Sequence, residues 1–514
     1  MGSEQVAGQA KTEPTRTIVA RWVVPVDRPP IAGGWIRMSG GRIVEIGAGP
    51  AGGPATDLGD VALLPRPVNA HTHLEFSDLS RPIGEPGIGL HDWIGQVIAA
   101  RAAGRDPGGT PPLPSATPPE SPGNTMSPGN TMSPAHTKSP GHTKSPTGRD
   151  APANGEPPIK SGPLATGESA AVRRGLLESQ AAGVGLVADI ATPGPAGPAD
   201  HPPGTGPDTA AHDTAAHDTA AHDVDSPGSA DPTHDRGDSP RGDRDDAPVR
   251  IPFAEVIGLS PERWQERLAA AEAFLRRFPR GGWSPHAPYS TDREAIRRCV
   301  DRAIAGRRPL AMHVAESPAE RELLERGEGP FADSLRRLGV WRDGTFPWPE
   351  NPMPWLLAEL ARAPRLLLIH GNDLREDEIR SLAGRSHITV VYCPRTHARF
   401  GYQPHPVRRL IERGVRVALG TDSRASNPDL NLWREAQWLW RHRQDLSPTS
   451  VLAMATAAGA DALGMPGWGR LRAGSPSRIA AVPTAARSPE QLWRDLAEHS
   501  PRPWPVTGDE IVRK

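Results

Sequence analysis

The sequence has little cysteine, little net charge and no long apolar run. Its two cysteines, Cys299 and Cys393, each lie in an apolar segment, which argues against a disulfide framework and favours a reducing compartment. The formal net charge of −1 provides no field that would attract nucleic acid or an anionic membrane. No stretch reaches the length of a membrane span, and the N-terminus lacks an apolar signal segment. We therefore expect a cytoplasmic protein with no nucleic-acid or membrane partner.

Apolar residues are also scarce, at 36% of the chain, whereas there are 60 prolines and 54 glycines. This mixture indicates an ordinary core diluted by unfolded sequence. Besides residues 1–16, we expect two disordered inserts, 104–167 and 193–248, because neither has an apolar periodicity that would offset the entropy of ordering. Seven of the eighteen histidines lie in these inserts. We interpret them as linker residues rather than metal scavengers, because a flexible chain supplies no fixed ligand geometry.

Outside the inserts, short apolar runs alternate with amphipathic segments. The runs that we interpret as strands are residues 61–64, 185–190, 251–258, 281–285, 309–314, 365–369, 388–393 and 415–420. Eight strands that alternate with helices predict an α/β fold, a closed parallel (β/α)8 TIM barrel over residues 61–468. Residues 17–60 and 469–514 are each too short to bury a core, so we expect them to pair in one small β-sandwich domain beside the barrel.

Histidines and carboxylates follow several of these predicted strands. They are His71 and His73, His286, His313 and Glu316, His370, and Asp422. Taken singly, a buried histidine is often a satisfied core residue, and a carboxylate after a strand is often a helix cap. Taken together, they lie at the strand ends where barrel enzymes build their sites. We therefore predict that they converge on one metal ion, which makes the protein a candidate hydrolase.

The first pair illustrates the geometry. His71 and His73 are two residues apart on an extended segment, so their side chains leave the same face, with Cα atoms roughly 6.6 Å apart. Two imidazole nitrogens at this spacing can reach one ion at about 2.0–2.1 Å. A His-x-His pair is common by chance. The prediction of a metal site therefore depends on the polar residues at the other predicted strand ends.

Four segments resemble the amidohydrolase superfamily, in its branch of cytosine, guanine, S-adenosylhomocysteine and aminodeoxyfutalosine deaminases. The segments are Val-Asn-Ala-His-Thr-His-Leu at 68–74, Ser-Pro-His-Ala-Pro-Tyr at 284–289, His-Val-Ala-Glu at 313–316 and Leu-Gly-Thr-Asp-Ser-Arg-Ala-Ser-Asn at 419–427. The resemblance implies one divalent metal, zinc before iron, bound by His71, His73, His313 and Asp422. One departure is Arg66-Pro67, where the family usually has Gly-Phe.

The same resemblance implies a deaminase, which converts a ring C–NH2 of an N-heterocycle to C=O and releases ammonia. The expected substrate is purine-like, such as aminodeoxyfutalosine or another adenosine derivative. A bound divalent ion lowers the pKa of its water from about 15.7 towards 7. Asp422 would accept the proton of that water, and Glu316 would protonate the ring nitrogen and the departing amine. His370 would stabilise the tetrahedral intermediate.

Substrate contacts are expected from four further positions. The resemblance assigns His286 to the substrate. The Trp93 indole offers a stacking face for a heterocycle, although a tryptophan on a helix is more often part of the core. Asp92 beside it is a second candidate. Arg395 is a candidate partner for a polar or anionic substituent, with a surface guanidinium as the alternative.

Two other functions remain open. The same site could hydrolyse another C–N bond or a C–Cl bond, as in a cyclic amide, a formimino group or a chloro-heterocycle. Alternatively, the protein could be a non-catalytic metal-binding protein whose inserts are the functional parts. A homodimer is left open as the oligomeric state.

Overall fold

The computed structural model describes residues 14–102, 169–194, 247–349 and 351–504. The expected disordered segments, 1–16, 104–167 and 193–248, lie outside these ranges except at their edges. In chain order the strands are β1 (Arg16–Val23), β2 (Ile31–Ser39), β3 (Arg42–Ala48), β4 (Thr56–Asp57), β5 (Val61–Pro65), β6 (Val68–Thr72), β7 (Leu186–Ala191), β8 (Val249–Val256), β9 (Gly282–Pro285), β10 (Leu310–Val314), β11 (Leu366–His370), β12 (Ile388–Tyr392), β13 (Arg416–Leu419), β14 (Ile479–Pro483) and β15 (Arg502–Pro503).

Eight of these strands form a parallel barrel. Strands β6 to β13 lie side by side in chain order, so each strand pairs with its neighbour in sequence. Strands such as β10 and β11 are buried at every position, which explains why they appear in the sequence as continuous apolar runs. The predicted α/β barrel is confirmed.

The first and last barrel strands meet at a seam. The seam is a parallel bridge between Thr72 and Asp422. The carbonyl oxygen of His71 accepts the backbone N–H of Thr421 at 3.0 Å and of Asp422 at 3.1 Å. Gly420 permits this approach, because a Cβ atom there would lie 2.9 Å from the carbonyl oxygen of His71.

Helices connect the strands. They are α1 (Leu90–Ala102), α2 (Ala170–Ala181), α3 (Pro261–Arg276), α4 (Arg293–Gly306), α5 (Pro318–Arg326), α6 (Pro330–Arg337), α7 (Pro352–Leu360), α8 (Glu376–Leu382), α9 (Pro394–Phe400), α10 (Val407–Glu412), α11 (Leu432–His442), α12 (Pro448–Ala455), α13 (Ala457–Ala462) and α14 (Pro489–Glu498). Side chains of Ser260 and Ser317 cap α3 and α5 by accepting a backbone N–H of the first turn. Among the helices of the described ranges, none combines the length and apolar composition needed to cross a bilayer.

A second sheet contains strands from both chain ends, as expected. Its order is β15-β14-β5-β1-β2-β3, with β4 beside β1. The prediction that residues 61–64 form a barrel strand is wrong, because β5 pairs with β1 and with β14 in this second sheet. The barrel begins instead at β6, after Arg66-Pro67. The Arg66 guanidinium is buried there and donates to the carbonyl oxygens of Gly183 and Val184 at 3.1 and 2.7 Å.

Two glycines provide a test of the barrel packing. A Cβ atom on Gly282 of β9 would lie 2.4 Å from the buried Phe253 ring and 2.7 Å from the carbonyl oxygen of Pro309. We expect Gly282→Ala to lower the free energy of unfolding by about 1–3 kcal/mol, as overpacked cores do. Gly95 of α1 has open space around its Cα, so Gly95→Ala should be neutral or stabilising by up to about 1 kcal/mol. Denaturant unfolding of both variants measures the difference, and equal effects would contradict the packing described.

Candidate active site

Three imidazoles meet at the carboxyl end of the barrel. His71 lies on β6, His73 follows β6, and His313 lies on β10. One ligand nitrogen of each lies within 4.8 Å of the others, and the Nε2 atoms of His73 and His313 are 3.3 Å apart. All three residues are buried. These residues could therefore hold a metal ion.

Asp422 joins the imidazoles from the other side of the seam. Its Oδ1 atom lies 3.4 Å from Nε2 of His71 and 3.7 Å from Nε2 of His73. The Ser426 hydroxyl donates to Oδ2 at 2.6 Å, which fixes the orientation of the carboxylate. Asp422 has a left-handed φ of +57°, a backbone conformation that non-glycine residues adopt mainly where the surroundings impose it.

Several imidazole nitrogens of this cluster receive no hydrogen bond. Nδ1 of His313 donates to the carbonyl oxygen of His286 at 2.8 Å, so its Nε2 atom carries a lone pair towards His73. Both ring nitrogens of His71 and Nδ1 of His73 are buried without a hydrogen-bond partner. Unpartnered buried nitrogens are costly, and a divalent cation would satisfy them. The nitrogen and carboxylate donors present are suited to zinc or iron.

Burial sets the protonation states that such a cation needs. It holds the pKa of His73 and of His313 well below 6.5, so both imidazoles are neutral. Burial alone would raise the pKa of Asp422, but its electrostatic interaction with the nearby imidazoles, His71 first and then His73 and His370, lowers it below its ordinary value. Asp422 is therefore an anion beside the imidazoles of the cluster.

Glu316 and His370 lie next to this cluster. The Oε1 atom of Glu316 is 3.4 Å from Nε2 of His370, and the Tyr289 hydroxyl donates to Oε2 of Glu316 at 3.5 Å. Burial, with the charges of Asp422 and Glu320, raises the pKa of Glu316 well above 4.5. Burial thus favours the protonated form of this carboxyl group, which can donate a proton.

The turn that carries Glu316 is fixed by its neighbours. The Glu320 carboxylate accepts the backbone N–H of Ala315 at 2.7 Å and of Glu316 at 3.1 Å. Ala315 and His370 both have left-handed backbones, with φ of +53° and +68°. The carbonyl oxygen of His370 accepts from Nε2 of His405 at 2.8 Å.

The cluster lies in a pocket of about 630 Å³. His73, His286, His313, Glu316, His370, Asp422 and Trp93 are among the residues that line it. Burial, and after it the charges of Arg101 and His71, lowers the pKa of His286 to about 3, so this imidazole is neutral. The Trp93 indole donates to the carbonyl oxygen of Ala425 at 3.2 Å and presents part of its ring to the pocket.

Two predicted substrate contacts lie elsewhere. Asp92 is not among the residues that line the pocket; it is exposed and accepts from Arg337 at 3.2 Å. Arg395 is also outside the lining, and its guanidinium forms two hydrogen bonds with the Asp429 carboxylate, at 2.8 and 3.0 Å. Neither residue lines the pocket, and both remain predicted substrate contacts.

Sequence reasoning missed other residues of the site. Glu255 and Tyr289 line the pocket, and Ser426 orients Asp422. Ser426 and Tyr289 lie inside the segments that carry the family resemblance, so their positions were a usable signal. Glu255 lies in the largely apolar strand β8. A charged residue within an apolar run was the signal that could have indicated a place in the pocket.

Three comparisons relate the chain to known proteins. Residues 256–498 match the model of the Amidohydrolase family. A 5-methylthioadenosine/S-adenosylhomocysteine deaminase of Nitratidesulfovibrio vulgaris is 30% identical over 246 residues, which are 46% of this chain and 49% of the relative. An aminodeoxyfutalosine deaminase of Deinococcus radiodurans is 32% identical over 228 residues, 41% of this chain and 54% of the relative. The chain thus spans about half the length of the curated relatives it matches.

Solved structures share the fold over nearly the whole chain. Helicobacter pylori aminofutalosine deaminase in complex with methylthio-coformycin superposes with a TM-score of 0.64 at 17% identity, covering 95% of this chain and 97% of that one. A variant of atrazine chlorohydrolase from Arthrobacter aurescens, complexed with zinc and atraton, gives a TM-score of 0.59 at 16% identity, covering 96% and 98%. These structures show the fold, and the family match identifies an Amidohydrolase family domain over residues 256–498, as the sequence motifs predicted.

Proposed function

We propose that this protein is a metal-dependent aminohydrolase that converts a ring C–NH2 of an N-heterocycle to C=O and releases ammonia. One observation carries the proposal: His71, His73, His313 and Asp422 form one cluster, and beside it lies the buried Glu316, whose pKa is raised by burial. A site with metal-ligand geometry and an adjacent acid is suited to hydrolysis of a C–N bond.

The four residues of the cluster would hold one divalent ion. His71, His73 and His313 would supply imidazole nitrogens, and Asp422 would supply a carboxylate oxygen. A bound ion of this kind lowers the pKa of water and so provides a nucleophile at neutral pH. We place zinc before iron, and the zinc complex of the atrazine chlorohydrolase supports that order. The two free, buried cysteines support a reducing cytoplasm as the location.

Glu316 is the proposed general acid. A cyclic amidine becomes more electrophilic when its ring nitrogen receives a proton, and the leaving amine needs a second proton. Burial keeps the Glu316 carboxyl protonated, and the Tyr289 hydroxyl and the backbone contacts of Glu320 hold it in place. Glu316 can therefore transfer its proton to the ring nitrogen.

Asp422 and His370 complete the proposed machinery. Asp422 is ionised and can accept a proton from water at the site. The His370 ring, 3.4 Å from Glu316, is held by a constrained backbone at the end of β11. We assign it the stabilisation of the tetrahedral intermediate.

The substrate that we propose is an adenosine derivative. Two relatives are named as deaminases of 5-methylthioadenosine, S-adenosylhomocysteine and aminodeoxyfutalosine, and the pocket has the size of a small-molecule site. His286 and Trp93 on the pocket wall are the proposed substrate contacts.

A second candidate is hydrolysis of another C–N bond or of a C–Cl bond at the same site. Its support is the structural likeness to the atrazine chlorohydrolase, whose match covers 96% of this chain. A chloride ion, unlike an amine, would leave this cluster without receiving a proton.

Ammonia release from a panel of adenosine derivatives tests the proposed reaction. The zinc-loaded and iron-loaded protein should release ammonia from at least one of adenosine, 5-methylthioadenosine, S-adenosylhomocysteine and aminodeoxyfutalosine. A chloro-heterocycle and a cyclic amide serve as the competing substrates. Turnover of only these two would contradict deamination and favour the second candidate.

Replacement of the proposed acid tests its role in that reaction. Glu316→Gln keeps the size of the side chain but cannot donate the carboxyl proton, so kcat should fall by at least about 100-fold, the usual contribution of general acid catalysis. Metal content and unfolding temperature should stay unchanged. Glu294→Gln on the exposed face of α4 is the matched control and should keep wild-type kcat. An active Glu316→Gln variant would exclude the proposed acid.

Loss of one imidazole tests the metal site. His71→Ala should remove the bound ion, because the ligand at the seam is lost, whereas the exposed His442→Ala should keep it. Elemental analysis after dialysis measures the number of ions per chain, and we expect about one in the control. Several ions that persist in His71→Ala and disappear with the inserts would support a non-catalytic metal-binding protein instead.

A further inference from the structure

Strand β6 contains an irregularity directly before the metal cluster. Its pairing with β7 shifts register between Asn69 and Thr72, so three steps along β6 match two steps along β7. One extra residue of this kind is a β-bulge, which interrupts the hydrogen-bond ladder and changes the direction of the side chains beside it. His71 lies inside the bulge. The pairing of β6 with β7 therefore does not by itself fix the direction of the His71 imidazole.

The Asn69 side chain forms hydrogen bonds across this bulge. Asn69 is completely buried, and one atom of its amide meets the backbone N–H of His71 at 3.3 Å and of Thr421 at 3.2 Å. Both of these partners are donors, so the atom that they meet is the amide oxygen. The amide nitrogen donates to the Thr421 hydroxyl at 2.8 Å. Asn69 thus connects the bulge of β6 to the segment that follows β13.

The Thr421 hydroxyl extends this connection to Asp422. Because its oxygen accepts from Asn69, its own proton is available, and it donates to the carbonyl oxygen of Asp422 at 3.2 Å. The Thr72 hydroxyl donates to the same carbonyl oxygen at 2.7 Å. The left-handed backbone of Asp422 requires such support from its surroundings. One run of hydrogen bonds therefore leads from the backbone of His71 to the backbone of Asp422.

The position of this pair indicates what it can do. Neither Asn69 nor Thr421 lines the pocket, so neither contacts a ligand there. Their hydrogen bonds end on the backbones of two proposed metal ligands, one on each side of the seam. Ligand distances in metal sites vary by only about 0.2 Å, so a small shift between the two sides would weaken binding of an ion.

We propose that Asn69, with Thr421, is a positioning residue: it sets the affinity of the cluster for its metal ion by fixing the two ligand-bearing segments of the seam. The inference rests on the proposed function, because it takes His71 and Asp422 as ligands of one ion. Without the amide, the backbone N–H of His71 would lose its acceptor inside the bulge. The imidazole of His71 would then be held less firmly opposite Asp422.

Zinc binding to the metal-free, full-length protein tests this inference without turnover. Competition with a chromophoric zinc chelator gives the Kd of each variant. Asn69→Ala should raise the Kd for zinc by roughly 10- to 100-fold, as loss of a residue that orients metal ligands usually does. Thr421→Val keeps the shape of the side chain but lacks the hydroxyl, so it should also raise the Kd. Thr421→Ser restores the hydroxyl and should return the Kd close to the wild-type value.

A matched control separates the seam from the rest of the barrel. Thr389 is also completely buried, but it lies near the start of β12, at the opposite end of the barrel, where its hydroxyl accepts from Arg416. Thr389→Val should therefore keep the wild-type Kd for zinc. Denaturant unfolding of the metal-free variants measures their stability separately. A purely structural role of Asn69 would lower the free energy of unfolding and leave the Kd unchanged.

The outcomes distinguish this inference from the proposed reaction. Wild-type Kd values in both Asn69→Ala and Thr421→Val would overturn the inference, even if the protein deaminates a member of the substrate panel. Raised values in both, with recovery in Thr421→Ser, would support it even if no member of the panel released ammonia. If Asn69→Ala unfolds, the two Thr421 variants decide: a Kd raised by valine alone supports the inference, and equal values overturn it. A wild-type protein that binds no zinc would overturn the inference together with the metal site.

Discussion

The seam between the first and last barrel strands determines the site. The carbonyl oxygen of His71 accepts two backbone N–H groups, from Thr421 and Asp422. These bonds place the end of β6 against the end of β13. The Thr72 hydroxyl also donates to the carbonyl oxygen of Asp422, and these two residues are 350 positions apart in the sequence. Because His71 and Asp422 take part through their backbones, their side chains are free to face the same cluster. Gly420 is required at this point, since a larger residue would meet His71.

One physical cause gives the buried groups opposite protonation states. Removal from water penalises the charged form of any side chain, so it lowers the pKa of an imidazole and raises that of a carboxyl group. His73, His313 and His370 are consequently neutral, and Glu316 is protonated. Metal ligands must be neutral imidazoles, and a general acid must hold its proton. The closed barrel would thus prepare the proposed ligands and the proposed acid together, while contacts with the imidazoles keep Asp422 ionised.

The sequence predicted the barrel and the location of the candidate site, because both leave a local pattern of residues. The apolar runs of the parallel barrel and the polar residues after them were visible, because fully buried strands leave continuous runs and the site lies at their ends. The strand at residues 61–64 was misassigned, because β5 is as apolar as a barrel strand and only its partners β1 and β14 distinguish it.

Side-chain contacts between distant segments were not visible in the sequence. The hydrogen bonds between Arg395 and Asp429 could not be foreseen. The contacts of the buried Glu255 with Thr192 and His286 could not be foreseen either. The residues recognised by a motif lie together in the structure. Residues whose surroundings depend on distant segments could be described only from the structure.

The most direct measurement of the central claim is the anomalous diffraction signal of a crystal of the zinc-loaded protein. The account predicts one peak per chain at the carboxyl end of the barrel, with His71, His73, His313 and Asp422 within about 2.0–2.2 Å of it. A peak elsewhere on the chain, or no peak in a crystal that contains zinc, would contradict it.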